Sequence, residues 1–144
     1  MVTNRTCFFG LGFLCVWAVC GGRVNAEDRK LEPVSSWWGI LTEKKLTEMV
    51  PKKGYITSNA AWKKLWEAWY PNAKLPEVDF TKQLGLVDLG GMYPVDHELR
   101  LTGQGDLKIE LRYRVPPKRG DGYGIAVIER SGVKTIRGKA IEPD

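Results

Sequence analysis

The stretch AAWKKLWEAWY, residues 60–70, constrains this chain more than any other, because it places three of the six tryptophans at spacings of four and three. Ser58 is a good helix cap, residues 59–70 contain good helix formers and Pro71 stops the run, so a helix is expected here. At 100° per residue, Trp62, Leu65, Trp66 and Trp69 fall within about 100° of arc, while Lys63, Lys64 and Glu67 occupy the other side. Three indoles at about 150–250 Å² each offer about 450–750 Å² of apolar surface. A soluble monomer normally leaves open no patch larger than about 300–600 Å². The stripe is therefore expected to pack against a sheet and not to serve as a platform for stacking on sugars.

Beyond the loop PNAKLPEVD the period changes. LGLVDL, residues 84–89, is an apolar run suited to a strand covered on both faces, and Gly90, Gly91 and Pro94 break it. Val95, His97, Leu99 and Leu101 then alternate with Asp96, Glu98 and Arg100. Next, Leu107, Ile109, Leu111, Tyr113 and Val115 alternate as an inward row with Lys108, Glu110, Arg112 and Arg114. TGQGD between these strands reads as a hairpin turn. Setting Leu101 opposite Ile109 pairs Arg100 with Glu110, Glu98 with Arg112 and Asp96 with Arg114. A slip of two sets Arg100 against Lys108 and Glu98 against Glu110. Cross-strand charge pairs are worth up to about 1 kcal/mol in either direction, so the first register is expected, with a tight turn at Gln104 to Asp106.

Further strands are expected at WWGIL (37–41), Tyr55 to Thr57, YGIAVIER (123–130) and, shorter, VKTIR (133–137). GDGYG, residues 120–124, resembles a phosphate loop only superficially. Such a loop opens a helix, whereas this one precedes a strand, so it is read as a turn. The tail GKAIEPD is polar and expected to fray. These elements indicate an α+β domain: an antiparallel β-sheet or small sandwich with one amphipathic helix packed on it.

Residues 1–26 have the layout of a secretory signal peptide: Arg5, an apolar run from Cys7 to Cys20, then Val24 and Ala26 ahead of Glu27. The run of about fourteen residues is shorter than the eighteen or so of a membrane span. Export with cleavage after Ala26 is expected, to the periplasm or the exterior; the alternative is a lipoprotein modified at Cys20. Residues 27–36 are read as a flexible lead-in and 37–144 as a single α+β domain. All three cysteines lie in the leader, so the remaining 118 residues have neither a disulfide framework nor a thiol nucleophile. The leader also holds two arginines and no acids, leaving 20 bases against 17 acids, a net +3. Such a mild, interspersed excess is not the footprint of a nucleic-acid binder.

Candidate chemistry is sparse. The single histidine, His97, is flanked by Asp96 and Glu98, but neighbours in a strand point to opposite faces, so those acids cannot share its ligand sphere. A hydrogen-bonded core or boundary histidine is expected. Ser35, Ser36, Ser58 and Ser131 lie in no nucleophile-elbow pattern. Glu77 and Asp79 are a conceivable carboxylate pair, read instead as solvated or turn-bonding groups. Metal-ligand spacings are missing, and neither metal nor cofactor is expected. Trp37 and Trp38 differ in that strand geometry sends one ring inward and the other outward. The outward ring, with Tyr93 or Tyr123, forms the candidate contact surface; edge packing over the core is the alternative reading.

The order of features from Tyr55 to about Arg137 resembles the C-terminal domain of the PrcB-type subunits of secreted bacterial protease complexes. The residues that carry this are Ile56-Thr57-Ser58 leading into a helix with Trp62, Leu65 and Trp66, then Leu75-Pro76-Glu77-Val78-Asp79-Phe80 leading into a buried strand. The chain is similar also to exported proteins of planctomycete-type bacteria that share W-x-x-L-W, LPxVDF and a closing GVKTxxGK, here Gly132 to Lys139. It departs from the family after the VDF strand, where Gly90-Gly91-Met92-Tyr93-Pro94 replaces a glycine-rich turn and tyrosine. The resemblance implies an accessory, non-catalytic extracellular domain with no catalytic residues to carry over. The expected function is accordingly an exported binding or assembly domain, monomeric or weakly associating, for another envelope or extracellular protein. A carbohydrate-binding module using Trp37 or Trp38 is the alternative, and a hydrolase with an unrecognised site comes third.

Overall fold

The computed structural model describes residues 27–115 and 120–144, so the expected leader lies outside the described residues. The elements run β1 (Arg29–Leu31), β2 (Ser35–Leu41), α1 (Lys44–Thr47), β3 (Tyr55–Ile56), α2 (Asn59–Trp69), β4 (Gln83–Leu89), β5 (Val95–Leu101), β6 (Asp106–Tyr113), β7 (Asp121–Glu129), β8 (Thr135–Ile136) and β9 (Lys139–Ala140). One sheet has the order β2-β7-β4-β3 and the other β1-β5-β6-β8-β9. All pairings are antiparallel except β6 with β8. The domain is α+β, with helix α2, the four-stranded sheet and the five-stranded sheet stacked as three layers.

Two cores follow from that stacking. Trp62, Leu65, Trp66 and Trp69 of α2 pack with Leu41, Ile56, Phe80, Val87, Tyr123, Ile125 and Val127 on one face of the four-stranded sheet. On its other face Leu84, Leu86, Ala126 and Ile128 meet Leu99, Leu101, Leu107 and Ile136 of the second sheet. The middle sheet is covered on both sides, which is why β4 and β7 read as nearly continuous apolar runs. The tryptophan stripe is core as expected: Trp62, Trp66 and Trp69 are buried, and Ser58 Oγ caps the helix by accepting from the Ala61 amide at 3.3 Å. Phe80 completes the cluster, its ring 6.4 Å from that of Trp62 in an edge-on arrangement.

Several expectations change. The lead-in is structured, because Arg29, Lys30 and Leu31 pair with Leu101, Arg100 and Leu99, and β2 already begins at Ser35. The β5–β6 hairpin adopts the slipped register, with Leu101 opposite Leu107, Arg100 opposite Lys108 and Glu98 opposite Glu110. Its loop explains why. Gly105 N–H donates to Thr102 O and Thr102 N–H to Asp106 O, both at 2.9 Å, with Gly105 at φ +91°, as in a type I turn followed by a glycine bulge. The unlike charges still meet, but diagonally: Arg112 bonds Glu98 and Arg114 bonds Asp96. Asp106 further ties this turn to the C-terminal segment, accepting from Thr135 Oγ1 at 2.6 Å and from the Gly138 amide at 2.8 Å.

The far end of β6 runs past the opposing sheet. Tyr113 and Val115, expected inward, are 65% and 90% exposed. GDGYG is strand and not turn from Asp121 onward, for a reason of close approach. A Cβ on Gly122 would lie 1.9 Å from the Tyr93 carbonyl carbon, and one on Gly124 would lie 2.2 Å from the Val95 oxygen. The chain at 93–95 crosses directly over these two residues, where only glycine leaves room. The tail does not fray: β9 pairs with β8, the Glu142 amide donates to the Tyr55 hydroxyl at 2.8 Å, and Asp144 forms a 2.7 Å ion pair with Lys53.

Candidate functional site

In β2, alternation sends Trp37 toward α2, where its ring lies 5.1 Å from Trp66 at 75° and 5.9 Å from Trp62. Trp38 points the other way and is 44% exposed. The Arg114 guanidinium sits over its ring, 5.1 Å from the centroid, and also bonds the Asp96 carboxylate. Arg114 thereby joins Trp38 to the overrun end of β6. There Tyr113 meets Tyr93 edge-on at 6.3 Å, and Tyr93, Tyr113, Arg114 and Val115 line an open pocket of about 370 Å³. This strip, Trp38–Arg114–Tyr113–Tyr93, is the candidate contact surface.

Of the four candidates, Trp38 and Tyr93 are exposed, while Trp37 is the inward ring of its pair and Tyr123 is lost to the interior. Trp37 is core. Tyr123 is buried beside Gly39 and Trp69, with its hydroxyl hydrogen-bonded to that of Tyr70. Burial, and then the bond to Tyr123, hold the Tyr70 phenol well above the usual tyrosine range; burial raises the Tyr123 phenol as well, against the effect of the Tyr70 bond. Both hydroxyls remain protonated and act as structure. The sequence places Arg114 in the outward row, opposite Asp96 in the expected register, but gives no sign that Tyr113, expected inward, joins the surface, because that depends on β6 outrunning the sheet beneath it.

His97 has an acidic partner that its sequence neighbours do not supply. Its Nε2 lies 3.1 Å from Asp88 Oδ2 of β4, and Asp88 Oδ1 accepts from Arg137 Nη2 at 2.8 Å. The imidazole is almost completely buried in the seam between the sheets. Burial raises the Asp88 pKa, but the bonds from His97 and Arg137 outweigh it and hold the carboxyl below its ordinary value. Asp96 and Glu98 point to the opposite face, as expected, and pair with arginines.

Glu77 is exposed, and Asp79 accepts from both the amide and the hydroxyl of Thr81, which keep its pKa lowered. Asp79 thus has a turn-forming role. Among the described residues no group of three or more His, Cys, Asp or Glu is placed to hold a metal ion, and no helix is long and apolar enough to cross a membrane. No family model matches the chain, and neither a curated protein nor a solved structure matches it significantly.

Proposed function

We propose that the chain is a non-catalytic binding or assembly domain, accessory to another envelope or extracellular protein. The observation that carries the reading is the strip of Trp38, Arg114, Tyr113 and Tyr93: large apolar side chains held open together beside a guanidinium, the residue types that dominate protein–protein contacts. The roles of the other polar groups agree with it. His97, Asp88 and Asp79 are each engaged in tying strands or turns together. The resemblance to the PrcB-type C-terminal domain, carried by Trp62, Trp66 and the LPEVDF stretch, adds the accessory role and the exported location. The test is crosslinking in the native envelope, with the tagged full chain carrying a photoreactive residue at Tyr113. A discrete adduct that weakens on Tyr93→Ala supports the reading; the lack of any adduct from this position argues against it.

A carbohydrate-binding role is the second reading, favoured by the pocket of about 370 Å³ with two tyrosine walls beside exposed Trp38. A glycan array separates the two. Binding by the unaltered chain that disappears on Trp38→Ala supports the sugar reading.

A further inference from the structure

The four sheet edges of this molecule are protected unequally. β1 is three residues long and carries Arg29 and Lys30, and β9 is two residues long and carries Lys139. β3 is two residues long and is flanked by the tail, with Asp144 bonded to Thr57 in both directions at 2.7 and 3.0 Å. β2 has none of these devices. It is seven residues long, SSWWGIL, without charge or proline; one side pairs with β7, and among the described residues no strand pairs with the other. Such an edge presents a row of backbone donors and acceptors ready to template another strand, and short strands, lysines and covering segments are the usual defences.

We infer that β2 is a self-association edge, along which two copies of the chain pair antiparallel about a two-fold axis at Trp38. Overlap of all seven residues is reached only with Trp38 opposite its counterpart. That register sets Ser35 opposite Leu41, Ser36 opposite Ile40 and Trp37 opposite Gly39, a bulky side chain facing a small one in each of these three pairs, while Trp38 meets Trp38 at the axis. It also keeps residues of one face opposite residues of the same face, so both copies of α2 stay on one side of a continuous eight-stranded sheet. The strand brings no like charges together, although residues 27–144 carry a net +3. The antiparallel sense moreover directs Glu32 of one copy toward the end bearing Lys44 of the other.

The area sets the strength. Seven residues at about 3.4 Å each span about 24 Å, and an edge one or two layers deep, at about 10 Å per layer, buries about 240–480 Å² per copy. A standard stable interface buries about 800 Å² per partner. The pair is thus a weak, concentration-dependent dimer. The pairing uses Trp38, which also belongs to the partner-binding strip, so the two readings compete for that residue and are tested at separate positions, the partner reading at Tyr113 and self-association along β2.

The test uses the full chain with Cys7, Cys15 and Cys20 changed to Ser, carrying a single cysteine from Trp38→Cys or, separately, from Val34→Cys. Residues directly opposite in antiparallel strands have Cβ atoms about 4.5–5.5 Å apart, near disulfide reach. Position 34 lies about 27 Å from its counterpart in this register. Mild oxidation is expected to give a covalent dimer at 38 and not at 34. Sedimentation of the cysteine-free chain should show a dimer fraction that grows with concentration and disappears on Ser36→Lys, a change at an exposed position. Equal crosslinking at both positions, none at 38, or a monomer at every concentration up to the millimolar range would each overturn the inference.

Discussion

Asp88 Oδ2 of β4 lies 3.1 Å from His97 Nε2 of β5, a hydrogen bond that joins the two sheets across a largely apolar seam. Arg137, beyond β8, bonds the same carboxylate at 2.8 Å and brings the C-terminal segment into the arrangement. The folded pKa of Asp88 is lowered from the ordinary 3.8, so its stabilising contribution is fully present above that value and is lost as the pH falls through the folded pKa. Asp88→Asn is expected to lower stability by about 1–3 kcal/mol at pH 7. The difference from the unaltered protein should narrow as the pH approaches 2. Thermal melts of both proteins across pH 2–7 check this; a gap that stays constant with pH argues against the ion-paired role.

The Phe80 ring closes the end of the tryptophan cluster at Trp62. Phe80→Ala is expected to cost about 3–5 kcal/mol, a large share of the 5–15 or so that a domain of this kind possesses. Denaturant unfolding with an unchanged midpoint would contradict this placement.

The indoles of α2 differ in their hydrogen bonding. Trp62 Nε1 donates to Pro76 O at 3.1 Å, whereas the buried Trp66 Nε1 has no partner among the described residues. Trp62→Phe therefore loses ring volume and a bond; Trp66→Phe loses volume but also removes an unsatisfied donor. The first is expected to be worse by about 1 kcal/mol. Chemical denaturation of the two variants side by side provides the comparison.

Gly122 and Gly124 lie beneath the backbone of residues 93–95. At Gly122 the atoms that an added methyl group would strike are all main-chain, and at Gly124 the nearest one is; main-chain atoms cannot rotate aside. Gly122→Ala is expected to destabilise by about 3 kcal/mol or more. Gly91→Ala meets no atom within 4 Å, although Gly91 has φ +61°, and should cost about 1 kcal/mol through backbone strain alone. Melting temperatures that rank the two in the opposite order would show that the crossing is misplaced.

Asp144 accepts from the Thr57 amide at 2.7 Å and pairs with Lys53, which together overcome the effect of burial and lower its pKa. Asp144→Ala is expected to speed hydrogen exchange at Thr57 about five- to thirty-fold, corresponding to about 1–2 kcal/mol of local opening. Exchange at α2 amides should not change. Acceleration spread evenly over the domain would mean that the tail supports the whole fold and not only the β3 edge.

Elements whose identity depends on local pattern were legible without coordinates. The spacing of Trp62, Leu65, Trp66 and Trp69 defines a helix and its buried face, and alternation in β5 correctly separates His97 from Asp96 and Glu98, because periods of 3.6 and 2 are properties of the backbone itself. The Trp37–Trp38 pair splits between core and surface for the same reason. What crosses from one element to another was decided by the tertiary structure. The hairpin register was set by the glycine bulge at Gly105 and by the bonds from Asp106 to Thr135 and Gly138, while twist let the charges find diagonal partners. Asp88 came to His97 from another strand, Tyr123 was covered by α2, and Tyr113 was exposed where β6 outran the sheet below it. Side-chain periodicity follows from covalent geometry residue by residue, whereas register, overhang and cross-sheet partners depend on how layers of unequal length are superposed, and a single chain of letters does not contain that relation locally.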